Sequence, residues 1–364
     1  MKRLTGSSIG HVTGARKLKR AARLRHGARG FVLAAVLWLL AGLTVAAALA
    51  SQYALDVSSN AQLLRMKAQA ESDFLSSRAR VLYTLAATAV HVNGRVGAQT
   101  PLAVDDRLYA AQGESLVQIQ DARGLLNLNR LQPDVAQRFL AHCGVPTKAV
   151  TALLDKLLDY TDADDLSRLQ GGEAAAYRDA GRIGPSNAAL TDVQELWQVL
   201  DWDNIRPAWQ AKGCDRAVTV LSDGSLNLHT APLPVLMAHG VTEAFAQALV
   251  NQRTRVAGAD SLAQSYSDFN ESADFFARTT LLVPGQIYRV THHGALDGQW
   301  GRYSLEYWVV LRTRSPTEPW WVSAPTRSLL SPVPMQASAP LPPFTSVLDN
   351  TTANEPAITS PFFR

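Results

Sequence analysis

The chain has 364 residues, of which 47% are hydrophobic and 18% are charged, enough for about two domains with buried cores. The formal net charge of +4 hides an asymmetry, because nine Lys and Arg but no Asp or Glu lie in residues 1–30. The 26 Lys and Arg that follow stand against 31 Asp and Glu, a net charge of −5. Because the part of the chain after residue 30 is net negative, its charge gives no argument for nucleic-acid binding.

The first predicted element is a transmembrane helix in residues 31–55, which contain no charged side chain. In a helix these 25 residues are long enough to cross the hydrocarbon core of a bilayer, which is about 30 Å thick. The basic residues before the helix favour a cytoplasmic N-terminus. We therefore expect a single-pass protein whose C-terminal part is exported.

A candidate cleavage position precedes this helix. A secretory signal peptide has a shorter apolar core and is cut after it. Here the small-residue break comes before the apolar run, so a cut would fall between Gly30 and Phe31. A plain signal anchor without processing is the alternative.

The next predicted element is an amphipathic helix in residues 56–90, which contain no Gly or Pro. Apolar side chains such as Leu64, Leu75 and Leu82 recur there at roughly helical spacing. Joined to the transmembrane helix, this segment predicts a continuous helix of about 60 residues. Gly94 and the residues after it end the pattern.

A strand and an internal repeat follow the helix. Residues 115–121 alternate apolar and polar side chains, which predicts a strand. The segment 124–129, Gly-Leu-Leu-Asn-Leu-Asn, returns 100 residues later as 224–229, Gly-Ser-Leu-Asn-Leu-His. Each copy runs into a Pro and then into a helical pattern.

The second copy predicts a helix-hairpin-helix unit in residues 228–253. Asn227 and Thr230 suit the N-cap of its first helix, and Gly240 ends that helix. Similar hairpins bind a DNA phosphate through backbone amides, but here the second hairpin glycine is missing and Glu243 stands where a phosphate would bind. The pattern favours a packed helical pair without a ligand. A membrane-anchored protein that binds and takes up DNA is the alternative.

An acidic block in residues 157–181 supplies the candidate metal ligands. Carboxylates in a D-x-D-D pattern can bind Ca²⁺ through oxygen, although the spacing does not match an EF-hand loop. Paired carboxylates can also act as acid and base, and a helix end followed by a capped loop needs neither ion nor substrate. All three interpretations stay open. The calcium candidates are Asp162, Asp164, Asp165 and Glu173.

Other signs of catalysis are absent from the sequence. It contains no G-x-S-x-G elbow, H-E-x-x-H motif or Walker loop. His292 and His293 are adjacent in a predicted strand, so their rings point to opposite faces and cannot ligate one metal together. We predict that the protein is not an enzyme.

The two cysteines, Cys143 and Cys214, are far apart in the sequence. An oxidising exported compartment would allow them to form a disulfide. Two buried thiols are an equally good interpretation, because cysteine is often buried without pairing.

The C-terminal third predicts an antiparallel sheet. Residues 286–293 and 303–312 alternate as strands, and with the strand near residue 117 they would cover the outer half of the long helix. Ten of the 18 prolines lie beyond residue 315, which predicts a disordered tail. The predicted parts are a leader (1–30), a long helix (31–95), an α/β head (96–123 and 283–325), an inserted helical domain (124–282) and the tail (326–364).

These features resemble a known family. A basic leader ending at Gly30, followed by Phe31 and an apolar run, resembles type IV pilins and type II secretion pseudopilins. Most of these proteins carry Glu as the fifth mature residue, where this chain has Ala35. The protein K family of minor pseudopilins typically lacks that Glu, and the acidic block and residues 189–200 resemble its motifs. Tyr160 replaces the usual Trp of that block, and the resemblance covers roughly residues 25–315.

The resemblance implies an α+β, pilin-like fold, in which a long N-terminal helix packs on a small antiparallel sheet that carries a large all-α insertion with helix-hairpin-helix (SAM-like) elements. It implies cleavage by prepilin peptidase after Gly30 and N-methylation of Phe31. It also implies an inner-membrane protein with a periplasmic C-terminal domain, located at the tip of a pseudopilus. The implied partners are the minor pseudopilins I and J, the major pseudopilin, the secretion machinery and secreted cargo, with no nucleic acid.

Overall fold

The computed structural model describes residues 28–91, 94–96, 101–113, 115–255, 283–296, 299–312, 317–328 and 336–343. The chain divides into two compact units, one up to Leu64 and the other from Arg65. The first unit, as far as it is described, is the N-terminal part of helix α1, which covers Ala28–Ala87. Gly42 has the lowest helix propensity of the residues between 31 and 64, and a Cβ at this position would have no neighbour within 4 Å.

The second unit contains the predicted antiparallel sheet. The strands are β1 Ala89–His91, β2 Gly94–Val96, β3 Pro101–Ala103, β4 Asp105–Ala110, β5 Leu116–Asp121, β6 Leu126–Asn127, β7 Val218–Thr219, β8 Ile287–Leu296, β9 Gln299–Leu311, β10 Trp320–Val322, β11 Thr326–Ser328 and β12 Ala339–Pro340. The order in the main sheet is β10-β9-β8-β5-β4-β12, with β11 also paired to β9, and every pair in it is antiparallel except β4 with β12. A separate three-stranded sheet has the order β1-β2-β3.

The last turns of α1 pack against this sheet. Val81 and Leu85 are fully buried and share one core with Val117 and Ile119 of β5 and Tyr307 of β9. Burial of each such aliphatic side chain stabilises the fold by roughly 2 kcal/mol. The α+β class predicted from the sequence is therefore confirmed.

The helices that follow α1 lie between β5 and β8 in the sequence, and they share a hydrophobic core of their own. Three aromatic side chains define its centre: Trp209 meets Phe139 edge-on at 5.4 Å between ring centroids and Trp202 at 6.0 Å. The helices after α1 are α2 Pro133–His142, α3 Thr147–Thr161, α4 Ala174–Asp179, α5 Trp202–Ala211, α6 Leu233–Ala238 and α7 Glu243–Arg255.

The internal repeat brings its two copies together. β6 in the first copy pairs in parallel with β7, which shortly precedes the second copy. Arg123 and Asp223, which are 100 residues apart, form an ion pair at 2.8 Å. Gly124 has to be glycine, because a Cβ there would lie 2.6 Å from the carbonyl oxygen of Thr230. The repeated sequence thus marks two segments that pack on each other.

Several predicted boundaries differ in the structure. The long helix ends at Ala87 rather than near residue 95, and the following residues form the β1-β2-β3 sheet. The prediction of a disordered tail from residue 326 is wrong for residues 326–328, which pair with β9, and for residues 339–340, which pair with β4. These short strands form backbone hydrogen bonds with the sheet, and such pairing cannot be inferred from the proline content of the tail. The rest of the tail, and residues 256–282 of the predicted insertion, lie outside the described residues.

Candidate functional site

The apolar part of α1 is the first functional feature. Within the part of the chain that the structure describes, this helix alone is long and apolar enough to cross a membrane. Every residue from 31 to 64 is exposed, and Phe31 and Trp38 expose about 80% of their surface. So large an apolar surface is stable only in a bilayer or against other helices. The predicted processing residues Gly30 and Phe31 lie inside α1, close to its start at Ala28.

The acidic block is organised by a buried carboxylate near the C-terminal end of α3. Asp159 is completely buried and accepts hydrogen bonds from the backbone amides of Arg168, at 3.0 Å, and Gly172, at 2.9 Å. Gly171 is also required, because a Cβ there would lie 1.9 Å from Asp159 Oδ2. Gly171 therefore permits the loop to close over Asp159, whereas a Cβ at Gly172 would meet Leu200.

One arginine holds two carboxylates of the block. Arg168 Nη1 lies 2.6 Å from Asp159 Oδ1 and 2.5 Å from Asp162 Oδ2. These charge-assisted hydrogen bonds raise the pKa of the Arg168 guanidinium. Asp159 and Arg168 were not among the predicted ligands. Their charges alone do not identify them as a pair, because they are nine positions apart and the chain after α3 has to fold back before they meet.

Glu173 has a different environment. Its side chain is buried, and neither of its carboxylate oxygens has a hydrogen-bond partner; Asp162 Oδ1 is likewise buried and unpartnered. Desolvation, followed by repulsion from Asp159 and Asp162, raises the pKa of Glu173. A buried carboxylate without a donor is costly, and Glu173 therefore has two acceptor oxygens that the described residues leave unused.

The other two calcium candidates already have partners. Asp164 accepts the backbone amide of Leu166 at 2.8 Å, and Asp165 accepts the Asn187 side chain at 3.5 Å. Among the described residues, no three His, Cys, Asp or Glu side chains are arranged to hold a metal ion. The structure thus brings Asp162 and Glu173 near Asp159, and leaves Asp164 and Asp165 as loop-stabilising acceptors.

A second buried acid, Asp121, joins the sheet to the helical domain. It ends β5, is fully buried, and accepts Asn227 Nδ2 and Thr230 Oγ1, both at 3.0 Å. The backbone amides of Arg123 and Gly285 also donate to it, both at 3.1 Å. Burial raises the pKa of the Asp121 carboxyl, although all four hydrogen bonds oppose the shift.

The Asp121 contacts change one prediction. Asn227 and Thr230 were expected to cap α6, but Pro232 occupies the N-cap position and no side chain caps the helix. The two residues face Asp121 instead. Sequence reasoning identified the repeated Asn but could not identify its partner more than 100 residues away.

The second hairpin lies between α6 and α7, and the first copy forms a matching hairpin between α2 and α3. α2 and α6 pack together, and Arg138 Nε donates to the carbonyl of Ala238 at 2.6 Å. Gly240 adopts a left-handed conformation at the second hairpin (φ 90°). Glu243 begins α7, so a negative charge lies beside the hairpin amides. Nothing in this geometry supports the DNA-binding alternative.

The two adjacent histidines are both buried and have different partners. His292 Nε2 lies 3.0 Å from the Tyr307 hydroxyl, and the His292 ring meets Phe74 of α1 edge-on. His293 Nε2 lies 2.8 Å from Gln118 Oε1. Burial lowers the pKa of His292 to about 3 and that of His293 to about 4. Both rings are therefore neutral near pH 7 and serve packing in this sheet.

The two cysteines are joined. Cys143 follows α2, Cys214 begins a 3₁₀ helix after α5, and a disulfide connects them across 71 residues of sequence. Both are fully buried in the core of the helical domain. Of the two interpretations that the sequence left open, the structure has the disulfide.

The apolar N-terminal helix and the α+β unit with a helical insertion are the features expected of the pseudopilin class. Residues 114–207 match the sequence model of a family described as Type II secretion system (T2SS), protein K. The predicted resemblance to protein K is confirmed, and the matching residues include β5, helices α2 to α4, the start of α5 and the acidic block.

Two relatives illustrate the similarity. The Type II secretion system protein K of Pseudomonas aeruginosa is 32% identical over 160 residues, which cover 38% of this chain and only 42% of that protein. A chain in the crystal structure of the GspK-GspI-GspJ complex from the enterotoxigenic Escherichia coli type 2 secretion system aligns with a TM-score of 0.48. That alignment has 18% sequence identity and covers 75% of this chain and 98% of that chain.

Proposed function

We propose that the protein is a minor pseudopilin of type II secretion that acts at the tip of a pseudopilus, where it starts filament assembly and supports protein export across the outer membrane. The observation that carries this proposal is the match of residues 114–207 to the protein K family, in a chain that also has an exposed apolar helix. In this proposal the protein acts by assembling with other subunits, and it does not catalyse a reaction. We propose the inner membrane as its location, with residues beyond the apolar helix in the periplasm.

Ala35 supplies a physical argument for the tip position. A Glu at the fifth mature position can attract the positive N-terminus of a neighbouring subunit, and this attraction is strong in the low dielectric of the membrane. Ala35 cannot provide it, so this subunit is poorly suited to docking beneath an existing one. It is better suited to being the first, with minor pseudopilins I and J and then the major pseudopilin joining it.

The partners follow from the same proposal. Prepilin peptidase would remove the leader after Gly30 and methylate Phe31. The exposed apolar face of α1 would then leave the bilayer and pack against the corresponding helices of the other pseudopilins. The helical domain would be available to the secretion machinery and its cargo.

The processing step gives the decisive experiment. A Gly30→Glu variant, expressed in a strain that lacks the natural protein, should keep its 30-residue leader and fail to restore secretion, because the peptidase requires the small residue. Gly27→Glu, three residues earlier in the same leader, is the matched control and should be processed and active. Mass spectrometry of the N-terminus and a secretion assay report the two outcomes. Normal maturation and secretion of the Gly30→Glu variant would show that the prepilin assignment is wrong.

We also propose that the acidic block binds a calcium ion. The buried, unpartnered oxygens of Glu173 and Asp162 favour it, because Ca²⁺ binds carboxylate oxygen and would remove the cost of leaving them unpaired. Arg168 supplies one positive charge to a group of five carboxylates, which leaves the block strongly negative. The ion would stabilise the loop after α3 and would have no catalytic role.

Calcium should therefore raise the thermal unfolding midpoint of the protein, and a chelator should lower it. At a concentration one hundred times the dissociation constant, the gain in unfolding free energy is about 2.7 kcal/mol. Glu173→Gln should abolish this response, whereas Glu243→Gln, an exposed acid outside the block, should preserve it. Equal midpoints with calcium and with chelator in the unmodified chain would refute the calcium proposal and leave the secretion role untouched.

A further inference from the structure

The leucine loop, residues 162–172, connects α3 to α4 and carries two highly exposed apolar side chains. Leu166 exposes 78% of its surface and Leu169 exposes 96%. Among the large apolar residues that the structure describes from Arg65 onward, only Ile183, at 90%, is exposed to a similar degree. Single exposed apolar residues are common on protein surfaces, but the concentration of the most exposed ones in one region indicates an interaction site.

Ile183 belongs to a second segment that returns to the leucine loop. Ser186 Oγ and the backbone amide of Asn187 both donate to the carbonyl oxygen of Tyr160 at 3.1 Å. The Asn187 side chain also donates to Asp165 in the loop, at 3.5 Å. The three exposed apolar side chains are therefore carried by two neighbouring segments, both attached to the C-terminal end of α3.

Carboxylates fix the backbone of the leucine loop at every second amide from residue 166 to residue 172. The acceptors are, in turn, Asp164 at 2.8 Å, Asp159 at 3.0 Å, Asp155 at 3.1 Å and again Asp159 at 2.9 Å. A loop held in this way loses little conformational freedom when a partner binds, and such preorganisation favours affinity. The two leucines are therefore presented to solvent on a fixed backbone.

The side chains of Leu166 and Leu169 take no part in fixing the loop. The four hydrogen bonds at alternate amides use only backbone N–H groups and aspartate oxygens, so a polar residue at either position would leave them in place. The leucine side chains remain in water, and covering apolar surface of this kind with a partner is favourable. Their apolar character therefore serves contacts outside the loop.

Negative charge lies directly beside the leucines. Asp164 and Asp165 precede Leu166, are both exposed, and form no ion pair with any residue that the structure describes. Three of the four Lys and Arg between residues 155 and 183 already form ion pairs: Lys156 with Asp201, Arg168 with Asp159 and Asp162, and Arg182 with Asp203. A partner therefore has to bring positive charge of its own, which disfavours anionic lipid, nucleic acid and the same surface of a second copy.

We propose that the leucine loop and Ile183 form a docking surface for a protein segment in which Lys or Arg side chains lie beside apolar ones. The apolar side chains of that segment cover the two leucines and Ile183, and its cations pair with Asp164 and Asp165. The inference rests on the proposed role in secretion, because it names the chemistry by which the helical domain meets a protein of the secretion machinery or its cargo.

A labelled peptide of leucine and lysine tests this chemistry on the full chain in a non-ionic detergent, with empty micelles as the background. Fluorescence anisotropy should show binding that weakens as salt is added. Leu166→Ser with Leu169→Ser should weaken it by about tenfold or more, because two apolar contacts are lost. Leu166→Met with Leu169→Met is the matched control and should bind like the natural chain. No binding by the natural chain, equal binding after the serine substitutions, or equal binding of a leucine and glutamate peptide would each overturn the proposal.

A secretion assay in a strain that lacks the natural protein tests the role of the surface. The chain with Leu166→Ser and Leu169→Ser should accumulate normally and keep its urea midpoint, but secretion should fall by about tenfold, in line with the lost affinity. Normal secretion by this chain would overturn the inference alone, whereas failure of the natural chain to restore secretion would contradict the proposed function. If the double variant accumulates poorly, Leu169→Ser alone decides, because a side chain that is 96% exposed contributes little to folding.

Discussion

Asp121→Ala is expected to lower the free energy of unfolding of residues 65–364 by about 4 kcal/mol, because it removes an acceptor shared by four donors in a fully buried site. The amides of Arg123 and Gly285 and the side chains of Asn227 and Thr230 would lose this partner, and a buried donor without an acceptor costs roughly 1–3 kcal/mol. Urea unfolding followed by circular dichroism measures the loss as a fall in the midpoint.

Two further variants separate this mechanism from the simple loss of a charge. Asp121→Asn keeps the shape of the side chain but offers only one acceptor oxygen, and should give an intermediate loss. Asp179→Ala, an exposed acid at the end of α4, should leave the midpoint unchanged. If Asp121→Ala unfolds at the wild-type urea concentration, the junction does not hold the sheet and the helical domain together as described.

Loss of the Cys143–Cys214 disulfide is expected to have an effect of similar size. The bond closes a loop of 71 residues, and the chain-entropy relation gives about 4 kcal/mol for a loop of that length. The double variant Cys143→Ala and Cys214→Ala avoids placing buried hydroxyl groups in the core, where both cysteines are fully buried. Its urea midpoint should fall accordingly when compared with that of the oxidised protein.

A reductant provides the matched control for this prediction. Dithiothreitol should lower the midpoint of the natural protein to nearly that of the double variant, and should leave the double variant unchanged. Equal midpoints for the oxidised and reduced natural protein would show that the bond does not stabilise the helical domain.

Much of the fold was predictable because its signals are local. The charge-free run from Phe31 to Leu55 predicted the apolar helix, and alternation predicted β5, β8 and β9 within one to four residues of their observed ends. The 100-residue repeat indicated the second hairpin and a helical segment after the first copy. Helical and strand periods are properties of neighbouring residues, so they can be recognised without knowing where the chain goes next.

The candidate site was predicted only in part. The acidic block was identified by its spacing, and Glu173 was included among the candidate ligands. Arg168 was not chosen, although it contacts two carboxylates of the block. A cation close to acids in sequence is usually a solvated surface charge, so its bridging role appears only when the loop folds over Asp159.

The sequence by itself determined the apolar helix, the α+β class, the main strands and the resemblance to protein K, because each rests on local periodicity or on motifs. The tertiary structure alone decided the partners of Asp121, the disulfide and the pairing of residues 339–340 with β4. These contacts join residues that lie 71 to about 230 positions apart, or that adopt an unpredicted strand. Single hydrogen bonds and single buried side chains across such separations leave no repeating pattern, so only the folded chain reveals them.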